Sequence, residues 1–201
     1  MKKAPNIIWI TLDSVRADRL TPYGYEKDTT PFFNELSKKS LIFDEAIANS
    51  TWTLPSVGSM FTGKYPSEHG MINNRKDKLK FPSIPQILST RGYKTLAMGK
   101  NPYLLFTDLG KGFDRTLDIE DLLFTNSPFP QLNTKGIVGK IYRETVRTIQ
   151  GFSQGKPKFS PVTALRKSIL KASENLKSPY FIYCHTDFAH RPYTPPLSIK
   201  N

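Results

Sequence analysis

The chain has 201 residues, 38% of them hydrophobic, which suits one domain or part of a larger one with a real core. No apolar run approaches the roughly 18 residues of a membrane-spanning helix. Its 29 Lys and Arg against 17 Asp and Glu give a net charge of +12, a field that attracts phosphate or sulfate esters, nucleic acid or an acidic membrane surface.

The first segment, MKKAPNIIWITLD, has two lysines and a short apolar run, but no small-residue cleavage site. It reads as a first strand over residues 6–12 rather than as a signal peptide, so a cytoplasmic location is expected. The near-continuous apolar run is the pattern of a strand buried on both faces of a parallel sheet. Such sheets collect ligands at the carboxyl ends of their strands, where Asp13 and Ser14 fall. Arg16 and Asp18 follow as a local ion pair or helix start.

A turn-rich loop leads to Thr30–Pro31, which opens a helix over PFFNELSKKS with Thr as N-cap and Pro in the first turn. Leu41–Ala48 reads as a second strand. Pro55–Phe61 reads as a helix ended by Gly63, with Thr53 just before it. Ser83–Thr90 is a helix closed by Gly92, and Tyr93–Met98 is the next strand. Residues 101–134, rich in Pro, Gly and Asn, read as a long irregular excursion. Residues 136–150 and 160–176 have helical periodicity, and Pro179–Cys184 is a last strand running into HTDFAHRPYTPP. The repeated β-α-β order predicts an α/β fold with a largely parallel sheet, unfinished at residue 201.

The single cysteine, Cys184, excludes an internal disulfide and reads as a small buried apolar residue. Trp52, Phe61 and Tyr65 read as packing residues. Residues 135–177 hold ten Lys or Arg against Glu144 and Glu174. This segment is either a solvated basic face or an anionic-surface contact. No nucleic-acid motif accompanies it, so a nucleic-acid partner is not expected.

Thr53 has two readings. A hydroxyl at a helix mouth lies among unpaired N–H groups in a positive local field, which suits a nucleophile on an anionic ester, helped by a cation on Asp13. Alternatively, Thr53 only caps the helix.

Four motifs in order are NIIWITLDSVRADRL, then YGYEKDTTPFFNELSKKSLIFDEAIANSTWTLPSVGSMFTGKYPSEHG, then GYKTLAMGKNPYL, then YFIYCHTDFAHRPYTPP. Together they resemble the sulfatase family of the alkaline phosphatase superfamily. The resemblance covers most of residues 6–110 and 179–196. It implies an alkaline-phosphatase-like three-layer sandwich around a central sheet. The chain would be the N-terminal part of the catalytic domain, with a basic helical insertion at about 135–177. It also implies hydrolysis or transfer of a sulfate or phosphate ester with a divalent metal, which is calcium, magnesium, manganese or zinc across such sites. The substrate would be a small or polymeric anionic ester; oligomeric state is left open. Asp13, Ser14 and Thr53 map to the metal site, Thr53 to the nucleophile, Lys100 to binding of the ester oxyanion, and His190 to the substrate and its leaving oxygen. His69 matches a family histidine, though such a residue more often orders a loop. His185 is expected to support the end of its strand.

Four positions depart from the family pattern. Thr53 stands where sulfatases convert Cys or Ser to formylglycine, so no formylglycine is expected there, and direct phosphoryl chemistry is favoured. Val57 replaces an arginine. Ser14 replaces a second acid. The Asp followed by Asn or His that completes the metal site on a later strand is not found. The alternative is therefore a truncated or inactive relative that binds anions through its basic segment without catalysis.

Overall fold

The computed structural model describes residues 4–73, 76–118 and 161–190. Among the described residues, four strands, all parallel, form one sheet: β1 (Ile7–Leu12), β2 (Lys94–Gly99), β3 (Arg115–Asp118) and β4 (Tyr180–Thr186), in the order β1-β4-β2-β3. The last described strand thus lies between the first and second. Every residue of β4 is buried, which explains its uninterrupted apolar sequence.

The described α-helices are α1 (Pro31–Ser37), α2 (Thr53–Thr62), α3 (Pro66–His69), α4 (Ile84–Thr90), α5 (Tyr103–Phe106) and α6 (Pro161–Asn175). The alternation along β4 sorts them into two layers. Phe181 and Tyr183 point to one face, where they pack with Leu54, Val57 and Phe61 of α2, Leu104 of α5 and Leu109. Tyr180, Ile182 and Cys184 point to the other face, against Leu165 and Ile169 of α6. Helices thus cover both faces of the sheet, and His185, two residues beyond Tyr183, faces the α2 side.

Trp9, Phe61, Phe113, Phe181 and Tyr183 form a ring cluster under α2. Phe61 meets Tyr183 edge-to-face at 4.9 Å between centroids, and Phe113 stacks on Phe181 at 5.9 Å. This cluster fixes α2 against the sheet and so sets the height of its N-terminus.

Several sequence expectations change. Leu41–Ala48 is not a strand: the segment is irregular, and Leu41, Phe43 and Ile47 are exposed by 89%, 72% and 87%. Apolar β-formers make a strand only where a neighbour supplies hydrogen bonds, and no described strand does so there. The stretch 101–118 is more regular than expected, holding α5, a 3-10 turn at Asp108–Gly110 and β3. β4 runs on to Thr186, so His185 is part of the strand itself. Helix α1 stops at Ser37. Phe61 packs as expected, but Tyr65 is mostly exposed; its N–H donates to Glu68 Oε2 at 3.0 Å and caps α3. The expected helix over 136–150 and most of the basic segment lie outside the described residues, as does the chain after His190. No described helix is long and apolar enough to cross a membrane.

Candidate active site at the carboxyl ends of the strands

The chain leaves β1 at Asp13, whose N–H donates to the Thr186 carbonyl of β4 at 2.8 Å. The next residue, Ser14, has φ of 62°, the only non-glycine in the left-handed region among the described residues. That conformation costs a non-glycine residue roughly 1 kcal/mol or more and clusters at functional sites. Here it folds Ser14 back so that its hydroxyl donates to Asp13 Oδ1 at 3.0 Å.

Helix α2 begins at Thr53, two residues earlier than the sequence indicates, with Trp52 as its N-cap. Pro55 falls within the first turn, where its missing N–H costs nothing. No side chain caps the helix. The Thr53 hydroxyl instead donates to Asp13 Oδ2 at 3.0 Å, across forty positions of sequence. The capping reading of Thr53 is thereby set aside. A carboxylate at the mouth of α2 also lies at the positive end of the helix dipole.

His185 supplies a third hydrogen bond to this carboxylate, Nε2 to Asp13 Oδ2 at 3.2 Å. Burial pushes the Asp13 carboxyl up, but the bonds from His185, Thr53 and Ser14 outweigh it and hold the group below the usual carboxylate range. His185 is 2% exposed in its side chain, and burial pushes its imidazole below the ordinary value.

Lys100 follows β2, and its N–H donates to the His185 carbonyl at 3.1 Å. Gly99 makes this approach possible: its φ is 132°, and an added Cβ would lie 1.8 Å from the His185 oxygen. The Lys100 ammonium pairs with Asp187 Oδ2 at 3.3 Å rather than with Asp13. His190 sits in the turn after β4, its N–H donating to the Asp187 carbonyl at 2.8 Å. The hydrogen bonds to the Asp13 carboxylate come from Ser14, Thr53 and His185, so His190 is near this site in sequence but outside that set.

His69 orders a loop. It is fully buried under α2, its Nε2 within 3.2 Å of both the Pro55 carbonyl and Ser59 Oγ, while Nδ1 accepts from the Met71 N–H at 3.0 Å. Arg16 and Asp18 form the expected local pair at 2.7 Å, both exposed. Val57 is buried in the core beneath α2 and cannot reach an anion.

Asp13, Ser14 and Thr53 present a carboxylate and two hydroxyls at one point, a hard oxygen donor set suited to Ca²⁺, Mg²⁺ or Mn²⁺. A hard cation takes about six or more oxygens, so these are part of a coordination shell. Among the described residues, no group of three or more His, Cys, Asp or Glu converges to hold a metal. Asp187, Asn101 and Tyr183 enter the site only through the fold, since their sequence neighbourhoods read as strand and loop. His185 was legible as a strand-end residue but not as a partner of Asp13.

A parallel sheet with helices on both faces, and a hydroxyl-bearing helix mouth facing an acidic strand end, defines an α/β protein with a polar cluster at the carboxyl ends of its strands. The sulfatase family model matches residues 5–199, and the chain belongs to the sulfatase family. It is 29% identical over 102 residues to an ulvan-active sulfatase of Formosa agariphila, a match covering 50% of this chain and 20% of that protein. Its fold superposes on the phosphonate monoester hydrolase of Agrobacterium radiobacter with a TM-score of 0.70 at 19% identity, over 96% of this chain and 43% of that one. A protein solved in complex with its substrate D-glucosamine-2-N,6-O-disulfate gives a TM-score of 0.67 at 20% identity, over 97% of this chain and 36% of that one. The chain therefore spans less than half the length of these relatives.

Proposed function

We propose that this chain supplies the nucleophile side of an active site that hydrolyses or transfers a sulfate or phosphate ester, with Thr53 as the nucleophile. The observation that carries this reading is the 3.0 Å hydrogen bond from Thr53 Oγ1 to Asp13 Oδ2 at the mouth of α2. A hydroxyl so held is oriented and sits in the field of the helix N-terminus. Asp13, Ser14 and Thr53 would hold the divalent cation, which when bound supplies charge neutralisation at the attacking oxygen. Lys100 binds an ester oxyanion once it leaves Asp187, and His190 serves the leaving oxygen. The substrate class is anionic esters, small or polymeric, in keeping with the sulfated sugar bound by one structural relative and the phosphonate ester hydrolysed by another.

The test is turnover of 4-nitrophenyl phosphate and 4-nitrophenyl sulfate by the complete protein, with and without chelator. Thr53→Ala and Asp13→Asn are each expected to reduce turnover to the chelated level. Full turnover by Thr53→Ala would remove Thr53 from the mechanism. A second reading, anion binding without catalysis, draws on two observations: Val57 is buried where the family has arginine, and Lys100 is already paired with Asp187. It predicts sulfate binding by the complete protein with no turnover of either ester. The exposed Arg166, Lys167 and Lys171 on α6 belong to the basic segment proposed to meet an anionic surface.

A further inference from the structure

The Asp13 carboxylate is held by a buried polar chain that continues past His185. Asn101 Nδ2 lies 3.4 Å from His185 Nδ1, and the Tyr183 hydroxyl lies 3.0 Å from the same nitrogen. His185 and Asn101 are 2% and 3% exposed, and Tyr183 is fully buried. The protons in this chain follow from its two ends. At one end, the Tyr103 N–H donates to Asn101 Oδ1 at 3.0 Å, which turns the Asn101 amide N–H₂ toward His185. At the other end, His185 Nε2 faces a carboxylate oxygen, which can only accept. This arrangement assigns His185 as the Nε2–H tautomer, with the single lone pair of a bare Nδ1 shared between the Tyr183 hydroxyl at 3.0 Å and the Asn101 amide at 3.4 Å.

We infer that Asn101 and His185 are positioning residues: Asn101 fixes the His185 tautomer, and His185 fixes the Asp13 carboxylate that orients Thr53. The ring acts through Asp13: His185 Nε2 and the Thr53 hydroxyl bond the same carboxylate oxygen, Oδ2. Both residues sit on strand ends and are held by backbone contacts. Asn101 follows β2, and the parallel register sets His185 opposite Thr11 and Gly99. The orientation of Asp13 is thus transmitted across three strands. This role rests on the proposed reading of Asp13 and Thr53 for its catalytic consequence, but the tautomer does not.

The experiment is ¹⁵N-histidine NMR of the complete protein, with the His185 signals assigned by their loss in His185→Gln. The expected result is one protonated nitrogen, Nε2, and one bare nitrogen, Nδ1. Asn101→Asp keeps the shape and the acceptor for Tyr103 but replaces the donor N–H₂ by an acceptor, so it is expected to bring a proton onto Nδ1. On 4-nitrophenyl esters, Asn101→Asp and His185→Leu are expected to lower kcat about ten- to hundredfold with KM little changed, the size seen for groups that orient a ligand's ligand. His185→Gln, which keeps a donor toward Asp13, is expected to recover much of the loss. A protonated Nδ1 in the unsubstituted protein, or an unchanged tautomer and kcat in Asn101→Asp, would overturn the inference. If the unsubstituted protein turns over no ester, the functional reading fails while the tautomer measurement still decides this one. If Asn101→Asp does not fold, the unsubstituted spectrum decides alone.

Discussion

At Asp13, three donors converge on one carboxylate, and its protonation behaviour follows from them. Its lowered pKa means the folded state binds the proton less readily than the unfolded state. Its contribution to stability is thus present above the ordinary carboxylate range and lost as pH falls through the folded value. His69 gives the corresponding effect nearer neutrality. Burial lowers its pKa, while the Pro55 carbonyl and Glu68 oppose the shift without cancelling it. A lowered value favours the neutral ring in the folded state, so its contribution is complete above the unfolded value of about 6.5 and declines below it. The melting temperature is expected to fall as pH drops below about 6.5, and His69→Gln is expected to flatten that slope. A slope identical in the variant would place the titration elsewhere. Gly99 is a second residue where a single atom matters. Gly99→Ala meets the His185 carbonyl at 1.8 Å and needs an unfavourable φ, so Lys100 and His185 must separate. Loss of melting temperature and of ester turnover together is the expected outcome, measured by calorimetry and 4-nitrophenyl ester assay.

Among the elements, α2 has the most demands placed on it. Its first residue carries the candidate nucleophile, and its body carries Leu54, Val57 and Phe61 into the core. Its packing on His69 is close: a Cβ on Gly58 would lie 2.6 Å from His69 Cε1. Phe61→Ala empties the centre of the ring cluster and is expected to cost about 3–5 kcal/mol, read from denaturant unfolding. A cost under about 1 kcal/mol would mean the cluster collapses onto the gap. The helix was recognisable from Pro55 and Gly63, but its true start at Thr53 was not. Local signals put Thr53 outside the helix as a cap. The acceptor that recruits its hydroxyl lies at the end of β1, and no local rule reaches that far. β1 tells the same story from the strand side. Ile7 and Trp9 pack on the α2 face, whereas Ile8 and Ile10 are 47% and 51% exposed among the described residues, so the apolar run did not mean burial on both sides here.

For the whole molecule, Cys184 offers a probe of global stability. It is the only cysteine, fully buried between β4 and α6, and burial pushes its thiol up to about 12. The thiolate is the reactive form, so labelling by a thiol reagent is expected only on opening of the sheet. The labelling rate in denaturant should therefore track global unfolding measured by circular dichroism, and rapid labelling of the native state would show that β4 opens locally.

The sequence by itself determined the α/β class, the end of the first strand at Asp13, the helix between Pro55 and Gly63, the strand leading to Lys100 and the family to which the four motifs point. These are short-range or ordered signals: turn residues, apolar periodicity and motif order. Only the tertiary structure decided that β4 enters between β1 and β2, and that insertion decides the site. It brings His185 to Asp13 across 172 positions and Asp187 to Lys100, while the docking of α2 on the sheet turns the Thr53 hydroxyl toward a carboxylate instead of toward its own backbone. Strand order is set by which faces the helices cover and by the shared register of the strands. Those are properties of the packed sheet as a whole, and no local stretch of the chain encodes them.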